Sequence, residues 1–248
     1  FRMKNCMPEG YVDPHTHVAC NTYGLKECME KGRSYIHWDE KRKEYENQTG
    51  PVRKGIGMAI FCYKTGVYPI SLETASCRMV LNQDGSMQLQ MGATEIGQGA
   101  DTVFTQMAAE TTGITEDKVH ILSTQDTDIS PFDTGAYASS GTFFSGNASL
   151  VATTKLKELI LKEAALQMEE KVENLDVRAP GEVYSKDTGA ALSYYDLVHT
   201  ATSGTGRGQM VAHGSFVTNA SSVPYGAHFA QVAVNVKTGE IKVQKFYA

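Results

Sequence analysis

Ser86-Met-Gln-Leu-Gln-Met-Gly-Ala-Thr-Glu-Ile-Gly-Gln-Gly-Ala100 decides how this chain is read. Residues 86–91 alternate apolar and polar side chains, the pattern of a half-buried strand. Residues 92–99 carry three glycines and end where Val103, Met107 and Ala108 begin to recur at helical spacing. A strand, a glycine-rich bend and a helix start can bring backbone N–H groups against an anion, because glycine lets the chain approach closely and the helix N-terminus carries partial positive charge. Gln98 adds an amide that both donates and accepts. The same pattern also serves as a purely structural turn.

Working outward, Cys77-Arg-Met-Val-Leu81 and residues 86–91 flank an Asp-Gly turn, which reads as a hairpin. His228 to Val236 and Glu240 to Phe246 flank Lys237-Thr-Gly239 and read as a second. Further strands are expected at Gly57 to Tyr63, Val119 to Leu122, Glu182 to Tyr184 and Gln209 to Val217. Helices are expected near residues 25–38, at 100–112 with Gly113 as the stop, at 147–168 and at 194–199. Leu150, Leu156, Leu159, Ile160 and Ala164 mark the expected buried stripe of the longest helix. The fold class is therefore α+β, with hairpin-built mixed or antiparallel sheets covered by helices. Three stretches are expected: an irregular and helical lead-in over 1–54, a sheet with two helices carrying the binding loops over 55–169, and a strand-rich lobe over 170–248.

With 248 residues, 41% hydrophobic and 21% charged, the composition is that of an ordinary globular protein. A net charge of −5 without a basic run argues against nucleic acid as a partner. No segment has the roughly 20 apolar residues of a membrane span. The five cysteines at 6, 20, 28, 62 and 77 form no Cys-x-x-Cys pair and read as reduced thiols, which points to a cytoplasmic protein. A chain opening Phe1-Arg-Met-Lys4 and closing just after a strand is expected to be a fragment.

Other candidates are weaker. Gly204-Thr-Gly-Arg-Gly208 lacks the P-loop ending and reads as a surface loop. Asp126, Asp128 and Asp133 miss the EF-hand register and read as turn-capping residues. His15 and His17 read as exposed loop histidines, and His120 as a strand residue. Glu73 and Glu95 are potential acids or bases that nothing in the sequence places in a cleft. No catalytic residue and no metal ligand is assigned. What remains is a second small-residue bend, at 133–146, preceding the longest helix. Two such bends could grip one elongated, phosphate-bearing cofactor. A binding module without chemistry would look the same.

At these bends the chain resembles the molybdenum hydroxylases, the family of xanthine dehydrogenase and aldehyde oxidoreductase, and among them the bacterial xanthine dehydrogenase molybdenum subunits. Thr94-Glu-Ile-Gly-Gln-Gly99 is similar to their second Gly-Gln-Gly loop. Asp133-Thr-Gly-Ala-Tyr-Ala-Ser139 with Ser145-Gly-Asn-Ala148 is similar to the loop that follows. Phe1-Arg-Met-Lys-Asn5, Gly226-Ala-His-Phe-Ala230 and Thr238-Gly-Glu240 extend the likeness across the chain.

The resemblance implies that Ile96, Gly97 and Gln98 contact the pterin and pyrophosphate of molybdopterin, in its cytosine dinucleotide form. It implies that Ala136, Ser139, Ser140 and Gly141 contact the dinucleotide end. Val67 and Tyr68 fall at the substrate pocket, where the animal enzymes have a Phe-Thr pair. The upstream Gly-Gly-Phe-Gly-Gly-Lys motif, the Phe-Arg-Gly-Phe-Gly loop and the family's glutamate base are not in this chain. The activity implied is hydroxylation of a purine such as xanthine or hypoxanthine, with water as the oxygen source. An aldehyde or an aromatic acyl thioester is the alternative substrate, and a non-catalytic scaffold the alternative role. Partners implied are the rest of the molybdenum subunit and FAD-binding and [2Fe-2S] subunits or domains. A homodimer is left open.

Overall fold

A computed structural model describes residues 1–20, 23–71, 73–123, 126–204, 207–220 and 222–248. The chain forms two compact units. One joins residues 1–65 to 220–248, and the other spans 66–219. These bounds replace the division at 54 and 169 expected from sequence. The reason is strand pairing between distant segments, which composition along the chain does not reveal.

In the first unit, β1 (Val52–Cys62) runs antiparallel to β9 (Tyr225–Asn235) along its whole length, Val52 opposite Asn235 and Cys62 opposite Tyr225. The hairpin expected near the C-terminus is present: β10 (Ile241–Tyr247) pairs with β9, with a bulge between Val243 and Lys245. Two helices, α1 (Leu25–Tyr35) and α2 (Trp38–Glu44), belong to this unit. Leu25, Met29 and Ile36 are buried in one cluster with Phe229, on which Trp38 packs edge-on.

In the second unit, a four-stranded sheet has the order β4-β3-β2-β8. Its strands are β2 (Thr74–Leu81), β3 (Met87–Met91), β4 (Val119–Leu122) and β8 (Val211–Val217). β2 and β3 form the expected Asp-Gly hairpin. β4, by contrast, pairs parallel to β3, which the sequence did not indicate. The connection is α3 (Ala100–Thr112), a crossover helix that returns the chain to the start of the sheet. Gly113, left-handed at φ 67°, stops it as expected.

The longest helix, α4 (Gly141–Gln167), begins six residues before its expected start. Phe144 is buried in the core, and this packing overrides the loop-like composition of Gly141-Thr-Phe-Phe-Ser-Gly146. The buried stripe runs through Ala148, Ala152, Leu156, Ile160 and Ala164, all fully buried. Leu150 and Leu159 were expected in it but are 44% and 39% exposed. The small residues face the sheet because α4 lies close upon β8, so side-chain size does not mark the contact face. A three-stranded sheet, β5 (Leu175–Arg178), β6 (Glu182–Ser185) and β7 (Ala191–Ser193), and the helix α5 (Tyr194–Ser203) complete the unit. None of the described helices is long and apolar enough to cross a membrane.

Candidate functional site

Registers within the four-stranded sheet place four strand ends along one edge. Thr74 opens β2 opposite Val217 at the close of β8, Cys77 lies opposite Met91 at the close of β3, and Gln90 lies beside Leu122 at the close of β4. The loop at 92–99 and the described parts of 66–73 and 123–140 therefore all lie at the same edge. Both bends singled out in the sequence feed helices that start there.

The first bend is closed on itself. Glu95 Oε1 accepts the amides of Gly97 and Gly99 at 2.6 and 3.2 Å, and Oε2 accepts that of Asp101 at 3.1 Å. The Asp101 amide, followed by those of Gly97, Gly99 and Ala100, outweighs desolvation and holds the Glu95 carboxyl below its ordinary value. Gln98 is engaged as well: its Oε1 accepts the Ile96 amide at 2.7 Å and its Nε2 donates to the Thr94 carbonyl at 2.9 Å. The Ala100 and Asp101 amides that open α3 thus go to a carboxylate of their own chain, and the reading of this bend as an open anion cradle does not hold for them. Ile96, Gly97 and Gln98 instead present an exposed outer surface.

Gly92 joins this bend to the next. A Cβ there would lie 2.1 Å from the Pro131 carbonyl oxygen and 2.7 Å from Asp133 Cβ, so only glycine admits the contact.

The second bend is held from outside and open at its end. Asp133 Oδ1 accepts the Gly135 amide and Oδ2 accepts the Ser145 hydroxyl, both at 2.7 Å. Asp126 likewise accepts the Asp128 amide at 3.0 Å. Both aspartates cap turns, as the sequence suggested. No cluster of metal-ligating side chains occurs among the described residues. Ala138 and Ser139 are successive left-handed residues, at φ 47° and 56°. Such backbone costs about 1–2 kcal/mol per residue and persists where its surroundings enforce it.

Ser140 follows as N-cap, but its hydroxyl donates back to the Tyr137 carbonyl at 2.6 Å and is 1% exposed as a residue. Of the four residues expected to contact a dinucleotide here, Ser140 is thus turned inward. Ala136 and Ser139 are exposed and Gly141 is half-buried. The amides of Gly141, Thr142 and Phe143 meet no acceptor among the described residues.

The 66–68 loop lies directly on this bend. The Gly66 amide donates to the Ala138 carbonyl at 2.9 Å. Glu73, 2% exposed, accepts both the Val67 amide and the Tyr137 hydroxyl on Oε1, each at 2.9 Å. Burial raises the Tyr137 phenol above its ordinary value and the Glu73 carboxylate raises it further, with a hydrogen bond from Thr134 in opposition. Gly66 thus sits against the 137–139 backbone, and Val67 and Tyr68, which follow it, are half-buried.

Glu73 Oε1 and both Glu95 carboxylate oxygens are engaged by donors of their own chain. The sequence offered Glu73 only as a potential acid or base; its bracing contacts were not visible there because the partners are 6 and 64 residues away. Of the Gly204–Gly208 loop, residues 205 and 206 lie outside the described residues, as does Gln125 ahead of the second bend. Arg207 is not loose, since it pairs with the buried Glu163 at 2.9 Å.

Residues 31–248 match the family profile described as a molybdopterin cofactor-binding domain. The chain is 37% identical over 247 residues to the xanthine dehydrogenase molybdenum-binding subunit of Escherichia coli O157:H7, covering 99% of this chain and 33% of that protein. It is 42% identical over 224 residues to a protein of Escherichia coli K12 named as a probable hypoxanthine oxidase, covering 90% and 22%. The fold resembles CO dehydrogenase from Oligotropha carboxidovorans, with TM-score 0.78 and 22% identity over 99% of this chain and 33% of that one. The chain therefore spans a third or less of these relatives.

Proposed function

Because the chain belongs to the molybdopterin cofactor-binding domain family, we propose that the loop-bearing edge of its four-stranded sheet is one wall of the cofactor site in a molybdenum hydroxylase subunit. The observation that carries this reading is the second bend. Its strained Ala138-Ser139 backbone ends at a helix whose first amides meet no acceptor among the described residues, a surface suited to a phosphate oxygen. The first bend fits differently. With Glu95 answering the α3 amides, residues 96–98 would touch the pterin through their exposed outer edge, and Glu95 would keep that edge in shape.

Ile96, Gly97 and Gln98 would then face the pterin and pyrophosphate. Ala136, Ser139 and Gly141 would face the dinucleotide end, of cytosine type, with Ser140 bracing them from beneath. Val67 and Tyr68 would line the substrate side. When bound, the cofactor supplies the redox chemistry of hydroxylation with water as oxygen source, its electrons leaving to [2Fe-2S] and FAD groups on partner domains or subunits. This chain's own residues bind and orient, and the proton-handling base lies elsewhere in the subunit. A purine such as xanthine or hypoxanthine is the proposed substrate, supported by the names of the two relatives above.

Metal and pterin analysis of the intact subunit, purified from its host, tests the cofactor. An active subunit without molybdenum would refute it. Turnover of hypoxanthine, an aldehyde and an aromatic acyl thioester by the same preparation tests the substrate, and failure on the purine alone would move the assignment to one of the others.

A further inference from the structure

Glu73 has a burial that packing does not explain. A carboxylate taken out of water costs several kcal/mol unless donors or cations compensate it. Here Oε1 receives two donors, while Oε2 has no hydrogen-bond partner among the described residues. No cation pairs with it among them. An apolar side chain of similar size would fill the space without that cost. What an apolar side chain could not do is hold two loops by one atom. The Val67 amide belongs to the loop proposed to face substrate, and the Tyr137 hydroxyl to the bend proposed to face cofactor.

The surroundings reinforce the link. The Gly66 amide reaches the Ala138 carbonyl. Gly66 is left-handed at φ +76°, and a Cβ on it would lie 2.2 Å from Glu73 Oε2 and 2.9 Å from Phe144 Cζ. The carboxylate, the glycine and the first buried ring of α4 thus close on one another without slack.

We infer that Glu73 is a positioning residue that locks the Val67–Tyr68 loop to the Tyr137–Ser139 bend, so that the substrate-side and cofactor-side loops keep one geometry. The assignment of those sides rests on the function proposed above; the lock itself rests on the contacts.

Amide hydrogen exchange on the intact subunit, with and without cofactor, tests the lock. In Glu73→Ala, exchange should quicken about ten-fold or more at both 66–71 and 134–141, while 74–81 and 87–91 stay protected. Tyr137→Phe removes one donor to Glu73 without changing bulk and should quicken 66–71 as well, through Glu73. Glu73→Gln keeps the Oε1 acceptor and should stay close to the parent in both loops. In the loaded enzyme, Glu73→Ala should raise KM for the substrate about ten-fold with molybdenum content unchanged and kcat little altered. Loosening confined to one loop, or a Tyr137→Phe variant with 66–71 unchanged, overturns the inference. If Glu73→Ala does not fold, Tyr137→Phe alone decides it. A subunit that lacks molybdenum would defeat the functional reading and leave the exchange result standing.

Discussion

The two bends at this sheet edge share one sequence grammar and differ in physical state. At 92–99, Glu95 reaches forward and answers the amides of Gly97, Gly99 and Asp101, so the helix start carries its own counter-charge. At 133–141, Asp133 and Glu73 hold the bend from its flanks, and the helix start is left with left-handed residues and amides lacking an acceptor among the described residues. Small residues before a helix therefore mark a place where an anion can be met. Whether the anion comes from the chain or from outside depends on one side chain a few residues away.

Substitutions can break or sharpen this contrast. The largest effect is expected for Gly66→Ala, which sets a Cβ against Glu73 and Phe144 on a left-handed backbone. A loss of about 2–4 kcal/mol should appear in the denaturant midpoint, strain and overpacking combined. Asp133→Ala removes the tie to both the Gly135 amide and the Ser145 hydroxyl. It should cost about 1–3 kcal/mol by the same measurement, with loosened exchange in the second bend and none in the first.

Glu95→Ala should do the reverse, loosening the α3 start and sparing 133–141. Its loss is smaller and depends on pH. The Glu95 carboxyl is depressed in the fold below its ordinary 4.5, so the charged form stabilises the fold above that value and the contribution fades as pH falls through the depressed value. Parent and variant should differ in melting temperature at neutral pH and converge in acid. Least of all, Ser139→Gly relieves a left-handed serine but frees the unfolded chain, and should raise stability by about 0.5 kcal/mol.

Local signals served well where the physics is local. The Asp-Gly hairpin at 82–86 and the Gly113 stop were legible because each depends on a few adjacent residues. The parallel β3–β4 pair and the union of residues 52–62 with 225–235 were not, because they are decided by contacts across the chain. Ile96, Gly97, Gln98, Ala136 and Ser139 are exposed on the two bends that leave this sheet edge. Ser140 turned inward because its hydroxyl found the Tyr137 carbonyl three residues back. The stripe of α4 was misjudged at Leu150 and Leu159 because close packing on a sheet favours alanine over leucine. Glu73 stood out in the sequence only as a potential acid or base; its place between two loops was not legible, since a buried carboxylate's role is recognisable only once its donors are known.

A crystal structure of the cofactor-loaded intact subunit bears most directly on the claim that both bends grip one elongated pterin. The expected result is a single ligand running along this sheet edge, its pterin beside Gln98 and a phosphate within hydrogen-bonding reach of the Gly141–Phe143 amides. A pterin that touches only one of the bends, or that lies at another face of the unit, would contradict it.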